Sequence, residues 1–220
     1  EAANRGLKTA IIEEGPLGGT CLNRGCIPSK MIIHSADVAE EIHRSNLFGL
    51  KASLTGIDFQ KVTGRASQVV DADAKAIEQS LRAGKNPVLF KSPAKFIAPY
   101  TLQVGTEILT AKKIVIAAGA RPIIPPISGL DKVPYMTSTQ ALRQTKLPKS
   151  MIIIGGGYIG AEMGHFYAAL GCKVTVIQRG SLLVPREDKD IAELFTKLWK
   201  QRYGAVCNCE VIKVEKKGKN

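Results

Sequence analysis

Met151-Ile152-Ile153-Ile154-Gly155-Gly156-Gly157-Tyr158-Ile159-Gly160 reads as a short buried strand running into a glycine-rich turn. An apolar run this brief and rich in β-branched residues suits a strand covered on both faces. Helical spacing follows to about Leu170, Gly171 fits a helix C-cap, and Cys172-Lys173-Val174-Thr175-Val176-Ile177 reads as a second strand. A lone G-x-G-x-x-G has little specificity. With a strand before it, a helix after it and a second strand ending about 20 residues on, it marks a βαβ opening, the turn that seats a pyrophosphate on a helix N-terminus.

Part of this phrase occurs twice. Gly6-Leu7-Lys8-Thr9-Ala10-Ile11-Ile12-Glu13 aligns with Gly171-Cys172-Lys173-Val174-Thr175-Val176-Ile177-Gln178, each after an alanine-containing stretch that reads as a helix end. By analogy, the first copy should have its own strand and glycine turn upstream of Glu1. The expected fold is therefore α/β, with two Rossmann-like domains, the first lacking its opening βα unit and the second truncated at its C-terminal end. Pro148 and Lys149 mark the join, giving domains 1–148 and 149–220. Within them the pattern predicts helices over 31–45, 58–83 and 191–203 and strands over 88–90, 95–98, 101–104, 114–117 and 205–214, with a loop over 180–190.

A third stretch, Gly18-Gly19-Thr20-Cys21-Leu22-Asn23-Arg24-Gly25-Cys26-Ile27-Pro28-Ser29-Lys30, sets two cysteines five positions apart. Such a pair can cycle between dithiol and disulfide, and a nearby lysine can stabilise a thiolate or a reduced electron carrier. On a regular helix, positions i and i+5 lie roughly 8–9 Å apart at Cα, beyond the roughly 7 Å reach of a disulfide. The backbone must bend between them. Gly25 permits the bend, and Pro28 suits the first turn of the helix that follows.

This wording resembles the redox-active segment of the class I pyridine nucleotide-disulfide oxidoreductases, FAD enzymes. It is most similar to the dihydrolipoyl dehydrogenase branch, with mercuric, glutathione and mycothione reductases as relatives; Arg24 departs from the valine common there. The resemblance implies that Cys26 sits against the flavin, that Cys21 exchanges with a small-molecule or lipoyl-type dithiol or disulfide substrate, and that Lys30 lies near the flavin ring. Glu162 resembles the carboxylate that pairs with that lysine, and Tyr158 the side chain covering the nicotinamide pocket. It further implies a homodimeric full-length parent, whose acid-base histidine lies in a C-terminal interface domain outside these 220 residues. None of His34, His43 and His165 inherits that role; each reads as a surface or packed histidine in a helix.

For the cofactors, Glu13 ends a strand where an acid accepts hydrogen bonds from a ribose, as expected for the adenosine half of FAD. Gly18 and Gly19 let the backbone approach that nucleotide, Thr20 can hydrogen-bond it, and Ala118-Gly119 resembles a further FAD turn, though relatives often carry threonine before the glycine. Gly155, Gly157, Tyr158, Ile159, Gly160 and Glu162 belong to the NAD(P) turn and helix. Gln178 stands where the first copy has Glu13, and with Arg179 it would admit a ribose 2′-phosphate, favouring NADP; Gly160 is instead the NAD-like choice at the third glycine. Arg186 is either a second phosphate contact or a solvated loop residue. Two rivals stay open: an NADPH-dependent reductase of mercuric ion or a low-molecular-weight disulfide, and a non-catalytic nucleotide-binding module.

Composition narrows the class. A 45% hydrophobic content over 220 residues can bury a core, no run approaches the roughly 18 apolar residues of a membrane span, and the start is not a signal peptide. A cytoplasmic protein is expected. Five cysteines do not make a secreted disulfide scaffold, no second pair completes a metal site with Cys21 and Cys26, and Cys172, Cys207 and Cys209 read as ordinary thiols. The net charge of +12 is scattered apart from Lys213, Lys216, Lys217 and Lys219, and 5% aromatic content gives no stacking platform. Neither nucleic acid nor membrane is an expected partner; a solvated surface and anionic nucleotide cofactors account for the charge.

Overall fold

The computed structural model describes residues 1–217, so Lys219 of the basic cluster lies outside the described residues. The chain divides into two compact units, 1–27 with 68–121 and 28–67 with 122–220. These are bodies defined by contact, a different division from the nucleotide-binding halves assigned from sequence.

In the second unit, β6 (Ser150–Ile154), α5 (Tyr158–Ala169), β7 (Lys173–Ile177), α6 (Lys189–Arg202) and β8 (Gly204–Val206) follow one another as a βαβαβ series. The strands form one parallel sheet in the order β6-β7-β8, in register from Ser150 opposite Lys173 to Ile154 opposite Ile177. This is the α/β unit the glycine turn predicts. Helix α5 is apolar nearly all round and buries Met163, Gly164, Phe166, Tyr167 and Ala169. Phe59, Phe166 and Tyr167 form an aromatic cluster with centroids 4.9–5.8 Å apart. The Tyr167 hydroxyl donates to the Ala141 carbonyl at 2.7 Å, so its one polar atom is satisfied inside the core. Trp199 closes the other side of α5, seated over Gly164, where an added Cβ would come within 2.8 Å of the indole. Helix α2 (Cys26–His43) contributes Ile32, Ala36 and Ala39 to the same core.

The first unit holds smaller sheets. Strand β1 (Ala10–Ile12) pairs in parallel with β2 (Val88–Phe90), and β3 (Ala94–Ala98), β4 (Thr101–Val104) and β5 (Glu107–Thr110) form an antiparallel meander. Helix α1 (Gly19–Arg24) carries Cys21, and α3 (Phe59–Ala83) is the long helix expected over 58–83.

Four expectations are corrected. No strand forms over 114–117: among the described residues nothing pairs with it, and Val115 and Ile116 are 89% and 75% exposed. An apolar run without a ladder partner leaves its amides to water and remains coil. The strand over 205–214 shortens to β8, because Asn208 takes φ 53° and interrupts the ladder; beyond it the Asn208 and Cys209 amides donate to the Gly180 and Gln178 carbonyls at 2.9 and 3.1 Å, and an isolated bridge joins Ser128 to Lys213. Strand β5, which closes the meander against β4, went unread. Helix α2 starts at Cys26 rather than near Met31, with Pro28 in its first turn where the missing amide proton costs nothing.

Candidate active site

The two cysteines flank a break in the backbone. Helix α1 ends at Arg24, Gly25 adopts φ −138° and ψ −118°, and α2 begins at Cys26. A Cβ on Gly25 would lie 2.9 Å from the Thr20 carbonyl oxygen and 3.3 Å from the Cys21 Cα. Only glycine lets the start of the second helix come this close to the first. Asn23 secures the arrangement by donating its amide to the carbonyls of Leu17 at 2.9 Å and Gly19 at 3.0 Å. That asparagine was not singled out from sequence; its signal is the general tendency of Asn to hydrogen-bond nearby backbone in turns.

Both cysteines are exposed thiols, and the Cys21 side chain hydrogen-bonds that of Cys26. This bond is the main reason the Cys21 thiol is pushed above its ordinary range; repulsion from Cys26 acts the same way, while backbone amides of Cys26 and Ile27 act against it. Backbone amides at the start of α2 stand ready to receive a thiolate on Cys21 once a base takes its proton.

In the second unit, Lys30 Nζ forms an ion pair with Glu162 Oε1, linking α2 to the first turns of α5. The Lys30 side chain is 63% exposed and that of Glu162 33%. Ser29 Oγ lies 3.4 Å from the same ammonium.

The glycine turn is tightly framed. Gly155 has φ +107°, and a Cβ on Gly160 would fall 2.2 Å from the Gly155 carbonyl oxygen, so a side chain has no space there. Gly157 caps α5 and its carbonyl receives the first helical bond from Ala161 at 2.9 Å. The amides of Tyr158, Ile159 and Gly160 precede that bond and point out of the helix start, with Tyr158 63% exposed. Gly156 is gripped on both sides: its amide donates to Gln178 Oε1 at 2.9 Å and its carbonyl accepts from Val184 at 2.6 Å. The Val184 grip, backed by the buried Leu183, has no signal in the sequence pattern of the 180–190 loop. Arg179 and Arg186 are both exposed.

Other predicted residues are placed as follows. Glu13 follows β1; its amide donates to the Phe90 carbonyl at 3.0 Å and one carboxylate oxygen accepts from Gly15 at 2.7 Å. Gly18, Gly19 and Thr20 are exposed at the start of α1. Ala118 and Gly119 lie exposed in coil, in the segment that forms no strand. His34 and His43 are exposed, whereas His165 is partly buried and engages both ring nitrogens, with Asp37 at 2.8 Å and Tyr203 at 3.2 Å. Cys172 is buried, and burial pushes its thiol up.

A family model described as pyridine nucleotide-disulphide oxidoreductase matches residues 1–219. Among curated proteins, dihydrolipoyl dehydrogenase of Bacillus subtilis is 36% identical over 200 residues, covering 88% of this chain and 43% of the relative. Mycothione reductase of Mycobacterium tuberculosis is 35% identical (96% and 47% covered), and mercuric reductase of Lysinibacillus sphaericus is 35% identical (99% and 40% covered). Among solved structures, the HOCl-induced flavoprotein disulfide reductase RclA of Escherichia coli matches with a TM-score of 0.81 at 33% identity, over 96% of this chain and 46% of that one. The chain thus spans about half the length of these proteins.

Proposed function

The chain belongs to the pyridine nucleotide-disulphide oxidoreductase family, and from that premise we propose that its parent is an FAD-dependent dithiol/disulfide oxidoreductase of the dihydrolipoyl dehydrogenase type. The observation that carries this reading is the hydrogen-bonded Cys21/Cys26 pair at the break between two helices. In the reductive direction, Cys21 gives up its proton to a base and its thiolate attacks one sulfur of the substrate disulfide. Cys26 then attacks Cys21, a Cys21–Cys26 disulfide forms, and the substrate leaves as two thiols. The lipoamide direction is the reverse. FAD, when bound, supplies the chemistry that carries the electron pair between the cysteines and the nicotinamide.

This chain's residues fit both groups. The amides at the start of α5 and the side-chain-free cradle at Gly155 and Gly160 suit the nicotinamide dinucleotide's pyrophosphate, and Tyr158 is exposed beside them. The Glu13 carboxylate at the end of β1 suits the ribose of FAD, with Gly18, Gly19, Thr20, Ala118 and Gly119 allowing close approach. Lys30, partnered by Glu162, supplies positive charge for the flavin. We assign domain 1–148 to FAD and 149–220 to the nicotinamide.

NADP is favoured over NAD by an observation on Gln178. Its Oε1 accepts from the Gly156 amide at 2.9 Å and its NH₂ remains a donor. A neutral side chain there, with Arg179 alongside, suits a 2′-phosphate, which a carboxylate at this position would repel. This also supports the second reading, an NADPH-dependent reductase of mercuric ion or of a low-molecular-weight disulfide. Steady-state rates of the full-length parent with NADH and NADPH, each against lipoamide, glutathione disulfide, mycothione disulfide and Hg(II), separate the two. Absence of a long-wavelength absorbance band after anaerobic two-electron reduction would count against both and leave a nucleotide-binding module. Cytoplasmic location is proposed because a close thiol pair suits a reducing compartment, and a homodimeric parent from family likeness.

A further inference from the structure

Helix α2 buries Ile32, Ala36 and Ala39. Apolar burial is non-directional and leaves rotation and sliding weakly specified; polar contacts fix register. Two of these join α2 to α5. Lys30 pairs with Glu162, and Asp37 with His165. Lys30 and Asp37 are about two turns apart on one face of α2, and Glu162 and His165 share a face of α5. The first link is too exposed to hold a long side chain in one place by itself.

The second is built differently. The His165 side chain is 23% exposed, and its Nε2 lies 2.8 Å from Asp37 Oδ1. Its Nδ1 lies 3.2 Å from the Tyr203 hydroxyl, which donates to Glu40 Oε1 at 2.9 Å. Arg202 pairs with the other oxygen of Glu40, and the Tyr203 ring packs edge-on against Trp199 at 4.9 Å. One imidazole thus ties Asp37 directly, and Glu40 through Tyr203, to both α5 and the end of α6.

We propose that His165 is a positioning residue that sets the register of α2 on α5 and so presents Lys30 to Glu162. What this positioning serves rests on the reading above, in which Lys30 faces a flavin; the positioning itself needs no cofactor and is tested without one.

The test is acylation of the 220-residue chain with a short pulse of an N-hydroxysuccinimide acetate, the rate at each lysine being read by peptide mass spectrometry. Glu162→Gln gives the rate of an unpaired Lys30. His165→Leu should raise the Lys30 rate by about threefold, the scale on which a weak ion pair masks an amine, with Lys61 and Lys173 unchanged. His165→Gln, which can still donate to Asp37, should return most of the protection. Asp37→Asn, at an exposed position, decides the matter if His165→Leu fails to fold, and should move Lys30 in the same direction. An unchanged Lys30 rate in a folded His165→Leu or in Asp37→Asn overturns the proposal. So does an equal rise at Lys30, Lys61 and Lys173, which reports general loosening. Loss of flavin chemistry in the parent would instead sink the functional reading while leaving this result standing.

Discussion

Strand β7 has a neighbour on each side, five registered pairs with β6 and three with β8, whereas β1 pairs along one edge only, through three residues with β2. The apolar runs are alike: Ala10-Ile11-Ile12 in the first copy, Val174-Thr175-Val176-Ile177 in the second. Local propensity is therefore not what separates them. A central parallel strand is secured by ladder partners on both edges, and among the described residues the strand of the second copy has two partners and that of the first has one. The run over 114–117 makes the same point more sharply, since Ile114-Val115-Ile116-Ala117 has strand composition but no strand.

The comparison breaks most visibly at Gly160. A Cβ there meets the Gly155 carbonyl oxygen at 2.2 Å, and both are backbone held by the turn, so no side chain can move aside. Gly160→Val should cost about 3 kcal/mol or more, the upper end of overpacking penalties. Trp199, the single tryptophan and 5% exposed, reports the loss as a lower urea midpoint by fluorescence. An unchanged midpoint would mean that the second copy tolerates an opened turn and is no better closed than the first.

How much of this was legible beforehand follows the same division. The βαβ unit around Gly155–Gly160 could be read because strand, turn, helix and second strand are contiguous, so local pattern and tertiary contact coincide. The thiol pair was legible for a similar reason: a five-residue spacing forces a bend, and Gly25 and Pro28 mark where it falls. The fate of the run over 114–117 was not legible, because it depends on a partner that composition does not reveal. Nor were the Gln178–Gly156 bond or the His165–Tyr203–Glu40 chain, whose members lie far apart in sequence. Alone, His165 reads as a surface or packed histidine, and nothing in the pattern links it to Tyr203 or Glu40.

The second copy is also predicted to carry a distinct alkaline weakness. Burial first, then the hydrogen bond to Glu40, pushes the Tyr203 hydroxyl up to about 12. An unfolded tyrosine ionises near 10, so between these values the unfolded chain has lost a proton that the folded chain keeps. Stability from this group is complete below about pH 10 and is lost as pH rises toward 12. Tyr203→Phe keeps the ring against Trp199 but removes the ionisation. It should cost about 1 kcal/mol at neutral pH, the worth of a lost hydrogen bond, and flatten the fall in unfolding midpoint between pH 10 and 12. Some slope should remain, because burial also pushes up Tyr167 and Cys172. Identical slopes in the two proteins would disprove the assignment.

The cysteines give a smaller effect and a direct contrast. Cys21 is raised chiefly by its bond to Cys26, Cys172 by burial. Cys26→Ala removes the first cause and leaves the Ile27 amide facing Cys21. Carbamidomethylation of Cys21 near pH 8 should then quicken by about threefold, the gain in thiolate being partly offset by its lower nucleophilicity. Cys172 should stay unreactive until the chain unfolds. Slower labelling of Cys21 would show that Cys26 had been helping to expose it rather than holding its proton.

The smallest expected change lies in the unpaired run over 114–117. Val115 is 89% exposed and in coil, so Val115→Ser removes apolar surface already in water and should shift stability by less than about 0.5 kcal/mol. The matching substitution at Val176, 1% exposed at the centre of the three-stranded sheet, should cost several times more, about 2–3 kcal/mol, since it buries a hydroxyl and leaves a small void. The ratio of the two losses measures how far an apolar run without a ladder partner differs from one inside the sheet. Comparable losses would mean that the 114–117 run is covered in solution.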